Sequence, residues 1–102
     1  MRLITRRRLR TFARRHPDTQ ASLEAWRRVT EAAEWGSIDD LRRDFPTADG
    51  VQVMSGRVAT VFNIRGNKFR LITAIHYNRE LVYVMRFYTH AEYGRGRWKD
   101  IL

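Results

Sequence analysis

Three apolar runs separated by short polar turns fill the second half of the chain and constrain its fold most. Val58–Ile64 is β-branched and aromatic, Lys68–Tyr77 alternates in polarity, and Leu81–Tyr88 is again apolar. The turns between them are Arg65-Gly66-Asn67 and Asn78-Arg79-Glu80. Glycine and asparagine tolerate the positive φ that a tight hairpin requires. The sequence therefore predicts three consecutive antiparallel strands.

The middle strand is predicted to separate apolar from basic side chains, because residues two apart share a face of a strand. One face would carry Phe69, Leu71, Thr73, Ile75 and Tyr77, and the other Lys68, Arg70, Ile72, Ala74 and His76. Lys68 and Arg70 would then lie together at a strand end. On the third strand, the same rule places Arg86 on one face with Val84 and Tyr88.

The first half of the chain is predicted to be helical after a short edge strand at Met1–Ile4. Thr5 can cap a helix that ends at Pro17, with an inner stripe of Leu9, Phe12, Ala13 and His16. Asp18 or Thr19 can cap a second helix that runs to about Trp35, with an inner stripe of Leu23, Trp26, Val29 or Thr30, and Ala33. Two antiparallel helices are expected.

Shorter elements complete the prediction. Ser37 starts a turn of helix, and Val51–Met54 forms a first strand. Thr89-His90-Ala91-Glu92 has the form of a helix-capping box, and Gly94 and Gly96 keep the helix after it short. Trp98, Ile101 and Leu102 are expected to dock on the sheet. The predicted fold class is α+β: two N-terminal antiparallel helices on an antiparallel sheet of three to four strands, then a short C-terminal helix, in a single domain of residues 1–102.

Charge is the most informative compositional feature. The chain has 20 Lys and Arg against 11 Asp and Glu, a net charge of +9. Residues 1–28 and 51–102 are basic, and residues 31–50 are acidic. This distribution suits a nucleic acid or an acidic protein partner. Arginine bias from a GC-rich genome is the alternative explanation.

Other features of the composition narrow the class of protein. Without cysteine, the chain can form neither a disulfide scaffold nor a thiolate metal site. It has no apolar run of about 18 to 20 residues and no signal-peptide core. We therefore expect a cytoplasmic protein that does not enter a membrane. His16, His76 and His90 lack metal-site spacing and no phosphate loop is present, so no cofactor is predicted.

The remaining candidates for chemistry are Lys68, Arg70, Arg86, His90 and Tyr93. Cleavage of RNA by its own 2′-hydroxyl needs proton transfer and stabilisation of a phosphorane-like transition state, which His, Tyr, Arg and Lys can provide. Further RNA contacts are expected from Arg57, Arg65, Asn67, Arg95 and Arg97. Each candidate also has a structural explanation. Arg70 can be an ion-pair partner, Lys68 a surface residue, His90 the first residue of a capped helix, and Tyr93 a packing residue.

These motifs also carry a resemblance to a known family. VFNIRGNKFRLI, then THAEY after one more strand, together with the Met-Arg-Leu-Ile-Thr start, Asp44-Phe45-Pro46 and Trp98, resemble the HigB-type toxins of the RelE/ParE-like superfamily. The resemblance implies a small α+β protein that cleaves mRNA on the translating ribosome without a metal. It implies that Arg70 is the strand arginine of the site, that His90 and Tyr93 belong to the C-terminal polar segment, and that Lys68 contacts phosphate. Arg86 stands one residue later than the corresponding arginine of many relatives.

The resemblance also implies a partner. This would be a helix-turn-helix antitoxin of the HigA type, through which the toxin would reach operator DNA. Two other functions remain open at this stage. One is a non-catalytic module, either ParE-like and acting on DNA gyrase by binding, or a degenerate toxin that only binds its antitoxin. The other is a plain RNA-binding domain.

Overall fold

A five-stranded mixed sheet forms the centre of the computed structural model, which describes residues 1–102. The strands are β1 (Arg2–Ile4), β2 (Asp49–Gln52), β3 (Val58–Ile64), β4 (Phe69–His76) and β5 (Leu81–Thr89), in the spatial order β1-β5-β4-β3-β2. The three predicted consecutive strands are confirmed, and β2 begins two residues before the predicted Val51. β4 begins at Phe69, so the prediction that Lys68 lies at a strand end was wrong, and Lys68 belongs to the preceding turn.

The prediction of an entirely antiparallel sheet was wrong, because β1 runs parallel to β5. The helices α1 (Arg6–Arg15) and α2 (Gln20–Ala32) lie between β1 and the hairpins in the chain. A parallel neighbour requires such a crossover connection. β1 has only three residues, which is too short for its direction to be inferred from hydrophobic periodicity.

The two predicted N-terminal helices are present and cover one face of the sheet. Three further short helices follow: α3 (Ile38–Asp44), α4 (His90–Gly94) and α5 (Trp98–Ile101). α2 ends before the predicted Trp35, whose indole N–H donates to the Asp44 carboxylate at 2.8 Å. No helix has the length and apolar character needed to cross a membrane.

The main hydrophobic core lies between the helices α1 and α2 and the face of the sheet that they cover. It contains 16 buried residues, among them Leu9 and Phe12 from α1 and Leu23 and Trp26 from α2. Of the two alternatives for the inner face of α2, Thr30 is buried, whereas Val29 is 39% exposed. The stability of the fold rests mainly on this face, because apolar burial is the dominant favourable term in folding.

Thr5 occupies the position before α1 but does not cap it, contrary to the prediction. Its hydroxyl donates to the Val84 carbonyl at 2.9 Å and accepts from the Val84 N–H at 3.1 Å. It therefore satisfies backbone groups of β5 at the point where β1 has ended. The predicted side-chain cap of α2 by Asp18 or Thr19 is also absent, because the Thr19 hydroxyl donates to the His16 carbonyl at 2.7 Å instead. Ser37, predicted to start α3, accepts from the Asp40 N–H, and the capping box predicted at Thr89 and Glu92 is confirmed.

A second, smaller apolar cluster lies on the opposite face of the sheet. Its five buried residues are Val53, Ala59, Val61, Ile72 and Trp98. Trp98 and Leu102 dock on the sheet as predicted, whereas Ile101 is 66% exposed. α5 covers only part of this face, and α4 packs where β4 begins and β5 finishes.

Candidate functional site

Of the five residues predicted to carry the chemistry, Arg70, His90 and Tyr93 come together where β4 begins, β5 ends and α4 follows. The register pairs Phe69 with Thr89 and Arg70 with Tyr88. The His90 N–H donates to the Lys68 carbonyl at 2.9 Å, so the first residue of α4 is tied to the start of β4. Residues 20 positions apart in sequence thereby come into contact. We call Arg70, His90 and Tyr93 the catalytic cluster, after the role that the sequence predicts for them.

Arg70 is the buried charge of this cluster. Its side chain is 8% exposed, and none of the seven ion pairs of the chain includes it. Its guanidinium instead donates to the carbonyls of Asn67 and Phe69, both at 3.1 Å, and to the Asn67 side-chain oxygen at 2.5 Å. A buried charge needs compensation, and neutral acceptors leave its net charge available to an anion.

His90 lies against this guanidinium and is open to solvent on its other side. The Arg70 Nη2 and His90 Nδ1 atoms are 3.2 Å apart. Because arginine only donates, Nδ1 is the atom of His90 that can accept in this contact. The capping box fixes the start of α4 and hence the position of His90. This arrangement places a group capable of proton transfer beside a fixed positive charge.

Tyr93 packs between Arg70 and Trp98 in the catalytic cluster. Its ring lies 5.5 Å from the guanidinium carbon of Arg70 and stacks on Trp98 at 5.3 Å, with an interplanar angle of 22°. Burial raises the pKa of Tyr93, the Asp49 carboxylate raises it further, and Arg70 opposes both effects. The hydroxyl therefore stays protonated at neutral pH and can act as a hydrogen-bond donor.

Arg86 reaches the face of the catalytic cluster through an irregularity in β5. Ile72 pairs with Arg86 but Thr73 pairs with Val84, so Met85 is an extra residue in a β-bulge. Val84 belongs to the core under the helices, whereas Arg86 lies on the opposite face with Tyr88. The prediction that Arg86 shares a face with both Val84 and Tyr88 was therefore wrong for Val84. A bulge re-aims the side chains that follow it, and here it brings Arg86 to the face opposite Val84.

The other predicted RNA contacts fall into three groups. Arg65 forms an ion pair with Asp18 at 2.5 Å, on the helical side of the sheet. Asn67 holds Arg70 through both its oxygens. Arg57, Arg95 and Arg97, like Lys68, are exposed and have no carboxylate partner.

Two supporting features were missed by the sequence reasoning. The bulge at Met85 lies in a continuous apolar run that carries no signal for it. Tyr88 was treated only as a strand residue, yet the register places it opposite Arg70. Its alternation with Arg86 could have indicated a role. No three His, Asp or Glu side chains converge in a way that could hold a metal ion.

Comparisons with known proteins agree with this geometry. A family model described as the RelE-like toxic component of a toxin–antitoxin system matches residues 19–96. The mRNA interferase toxin HigB of Escherichia coli strain K12 is 26% identical over 93 residues, covering 91% of this chain and 88% of that protein. The mRNA interferase HigB of E. coli O6:H1 is 24% identical over 95 residues, covering 93% and 90%. The chain is thus a member of the HigB toxin family, the RelE-like toxic components of toxin–antitoxin systems.

Proposed function

We propose that this toxin is an mRNA endoribonuclease that cleaves messages on the translating ribosome in the cytoplasm and so arrests translation. The observation that carries the proposal is the buried Arg70 guanidinium, which has hydrogen bonds to neutral groups but no carboxylate. A substrate phosphate would be its counter-ion. Charge-assisted bonds from arginine to phosphate are strong and geometrically specific. The mRNA interferase names of the similar proteins support the same activity.

The proposed reaction uses the RNA's own 2′-hydroxyl as the nucleophile. The 2′-oxygen bonds to phosphorus while the bond to the 5′-oxygen breaks, a proton leaves the 2′-hydroxyl, and another is delivered to the 5′-oxygen. Arg70 and Lys68 would stabilise the negative charge that develops on the phosphate oxygens. Arg86 would assist from the next position on the same face.

His90 would be the general acid–base residue of this reaction. In the free protein its Nδ1 accepts from Arg70. A phosphate that binds the guanidinium would compete for the same N–H group and free this nitrogen for general acid–base work. Tyr93, protonated at neutral pH, would donate a hydrogen bond to the phosphate or to the leaving oxygen. The residues of the catalytic cluster therefore supply the functions that this reaction requires.

We further propose that the antitoxin is a helix-turn-helix protein of the HigA type that covers part of the basic surface and carries the complex to operator DNA. The net charge of +9 favours association with an acidic surface. A mixing experiment with the product of the neighbouring gene tests this, and failure of any such product to bind would refute it.

The proposed activity is tested by controlled expression in bacteria of the wild type, His90→Ala and the control variant His76→Ala. His76 is exposed at the other end of β4 and packs on Tyr83. We expect growth arrest and new mRNA 5′ ends with the wild type and His76→Ala, and neither with folded His90→Ala. Arrest with intact mRNA and damaged DNA would instead indicate a gyrase-binding toxin.

A further inference from the structure

A groove beside β5 lies next to the catalytic cluster but outside it. β1 pairs with β5 only at Leu81–Tyr83, so no strand covers the outer edge of β5 beyond that point. A groove of about 430 Å³ separates this edge, at residues 85–88, from α1. We call it the edge groove. Its volume falls within the range of small-ligand sites.

The edge groove is strongly basic. Arg8 and Arg15 of α1 and Arg86 of β5 line it, no acidic residue does, and none of the three takes part in an ion pair. Arg8 already makes hydrogen bonds within the fold, because its Nη1 donates to the Val84 and Met85 carbonyls at 3.0 and 3.2 Å. The guanidinium groups of Arg15 and Arg86 are both exposed and available to an anion.

The remainder of the groove lining is largely apolar and aromatic. Met85, Tyr88 and the exposed Ile101 contribute to it. A site that combines unpaired arginines with aromatic and apolar side chains suits single-stranded nucleic acid, since a nucleotide presents a phosphate and a flat base together. An acidic peptide would use the charges but has less use for the flat apolar surface.

The edge groove is directly connected to the catalytic cluster. Tyr88, which lines the groove, is paired with Arg70, and Arg86 is paired with Ile72. Neighbouring strands are separated by about 4.8 Å. An RNA strand whose phosphate lies at Arg70 therefore has its adjacent nucleotide within reach of the groove.

We propose that the edge groove binds the nucleotide that flanks the scissile phosphate, with Arg15 and Arg86 on its phosphate and Tyr88 against its base. The proposal rests on the proposed ribonuclease function and gives Arg86 a definite role in it. The bulge at Met85, held by Arg8, would form one wall. The groove would then help to set which position of the message is cut.

The first test compares Arg15→Gln and Arg86→Gln with the control variant Arg14→Gln in a translation reaction. Arg14 lies on the same helix, is exposed and unpaired, and lines a different groove. We expect a several-fold rise in the half-saturating concentration for both groove variants and a salt slope reduced by about 1 for each. The maximal rate should be retained in Arg15→Gln, because Arg15 lies outside the catalytic cluster and its assisting residues.

The outcomes of this comparison distinguish the edge-groove proposal from the ribonuclease proposal. Equal effects of all three substitutions would refute the edge groove and indicate general attraction to RNA. Cleavage unchanged in both groove variants would refute it as well, while leaving the ribonuclease intact. A wild-type protein that leaves translated mRNA uncut would overturn both proposals.

Cross-linking gives a second, independent test that does not depend on a rate. The chain contains no cysteine, so Thr11→Cys in the edge groove can carry a single photoactivatable label, and Ser55→Cys at a distant turn provides the control. The mRNA would carry a 2′-O-methyl group at its cleavage position to prevent cutting. We expect Thr11→Cys alone to cross-link the nucleotide next to that position. Cross-links only to ribosomal RNA, or to the antitoxin, would refute the proposal.

Discussion

Two arginines on opposite sides of the sheet differ in how their charges are neutralised. On the helical side, Arg27 of α2 binds the carboxylates of Glu24 and Glu31, and these hydrogen bonds raise its pKa. On the opposite face, Arg70 is more deeply buried than Arg27 and has no carboxylate. Arg27 is thus paired within the fold, whereas Arg70 has no carboxylate partner and is the arginine of the proposed binding site.

The apolar packing differs in the same way. Sixteen buried residues form the core under the helices, and five form the cluster on the other side. The smaller cluster supports Tyr93 through Trp98. We expect substitutions on the covered face to change stability, and substitutions in the catalytic cluster to change activity.

The largest effect is expected from Leu71→Ala on the covered face. Leu71 is fully buried, and truncation of such a residue costs about 2–5 kcal/mol through lost apolar contact and the cavity that remains. Denaturant unfolding measures this cost. Cleavage per folded molecule should be unchanged, and a large loss in that quantity would show that the two faces are not independent.

The next largest effect is expected from Arg70→Ala. Removal of a preorganised donor to a developing negative charge lowers rates by about 10²–10³-fold, and stability should change little because a buried, incompletely compensated charge is removed. Arg27→Ala removes an arginine of the covered face as the control. Rates of mRNA cleavage and thermal unfolding distinguish the two variants, and equal cleavage by both would contradict the assignment of Arg70.

Tyr93→Phe tests the contribution of a single hydroxyl group within the catalytic cluster. We expect about a tenfold loss of cleavage rate, as for one hydrogen bond of about 1.5 kcal/mol to a charged oxygen. Because burial raises the pKa of Tyr93 above its usual 10.0, the wild-type hydroxyl is protonated throughout the neutral range. The ratio of the two rates should therefore not change between about pH 6 and pH 9; a ratio that falls with pH would contradict the donor role.

The raised pKa of Tyr93 also makes the free energy of unfolding depend on pH. A group whose folded-state pKa is raised destabilises the fold as pH rises from its unfolded value to its folded value. The wild type should lose free energy of unfolding above about pH 10. Tyr93→Phe should lose less, although Tyr77 and Tyr88, whose pKa values burial also raises, contribute to the remaining loss. Denaturant unfolding at several alkaline pH values measures the difference.

Much of the catalytic cluster could be predicted because its determinants are local. The alternation along β4 placed Arg70 on the face opposite the apolar set, and the spacing of Thr89 and Glu92 indicated the capping box that positions His90. Both patterns act within a few residues. The resemblance to HigB-type toxins then indicated which of these polar residues to combine.

The bulge at Met85 could not be predicted because its determinants are distant in the sequence. It is held by Thr5 and Arg8, whose side chains bond to Val84 from 79 and 76 residues away. The parallel pairing of β1 with β5 could not be predicted for the same reason, since the two strands are also far apart in the sequence. The ion pair of Arg65, a predicted RNA contact, could not be predicted either, because its partner Asp18 is 47 residues away and the pair depends on how the helices pack.

The smallest effect is expected from the caps, where the two sides of the molecule can be compared directly. Ser37 caps α3 among the helices, and Thr89 caps α4 beside the catalytic cluster. Replacing either with Ala removes one bond to a backbone N–H and should cost about 1 kcal/mol in denaturant unfolding. Only Thr89→Ala should also slow cleavage, because α4 holds His90 against Arg70. If Ser37→Ala slowed cleavage equally, loss of stability alone would explain the effect, and the capping box would have no separate role in positioning His90.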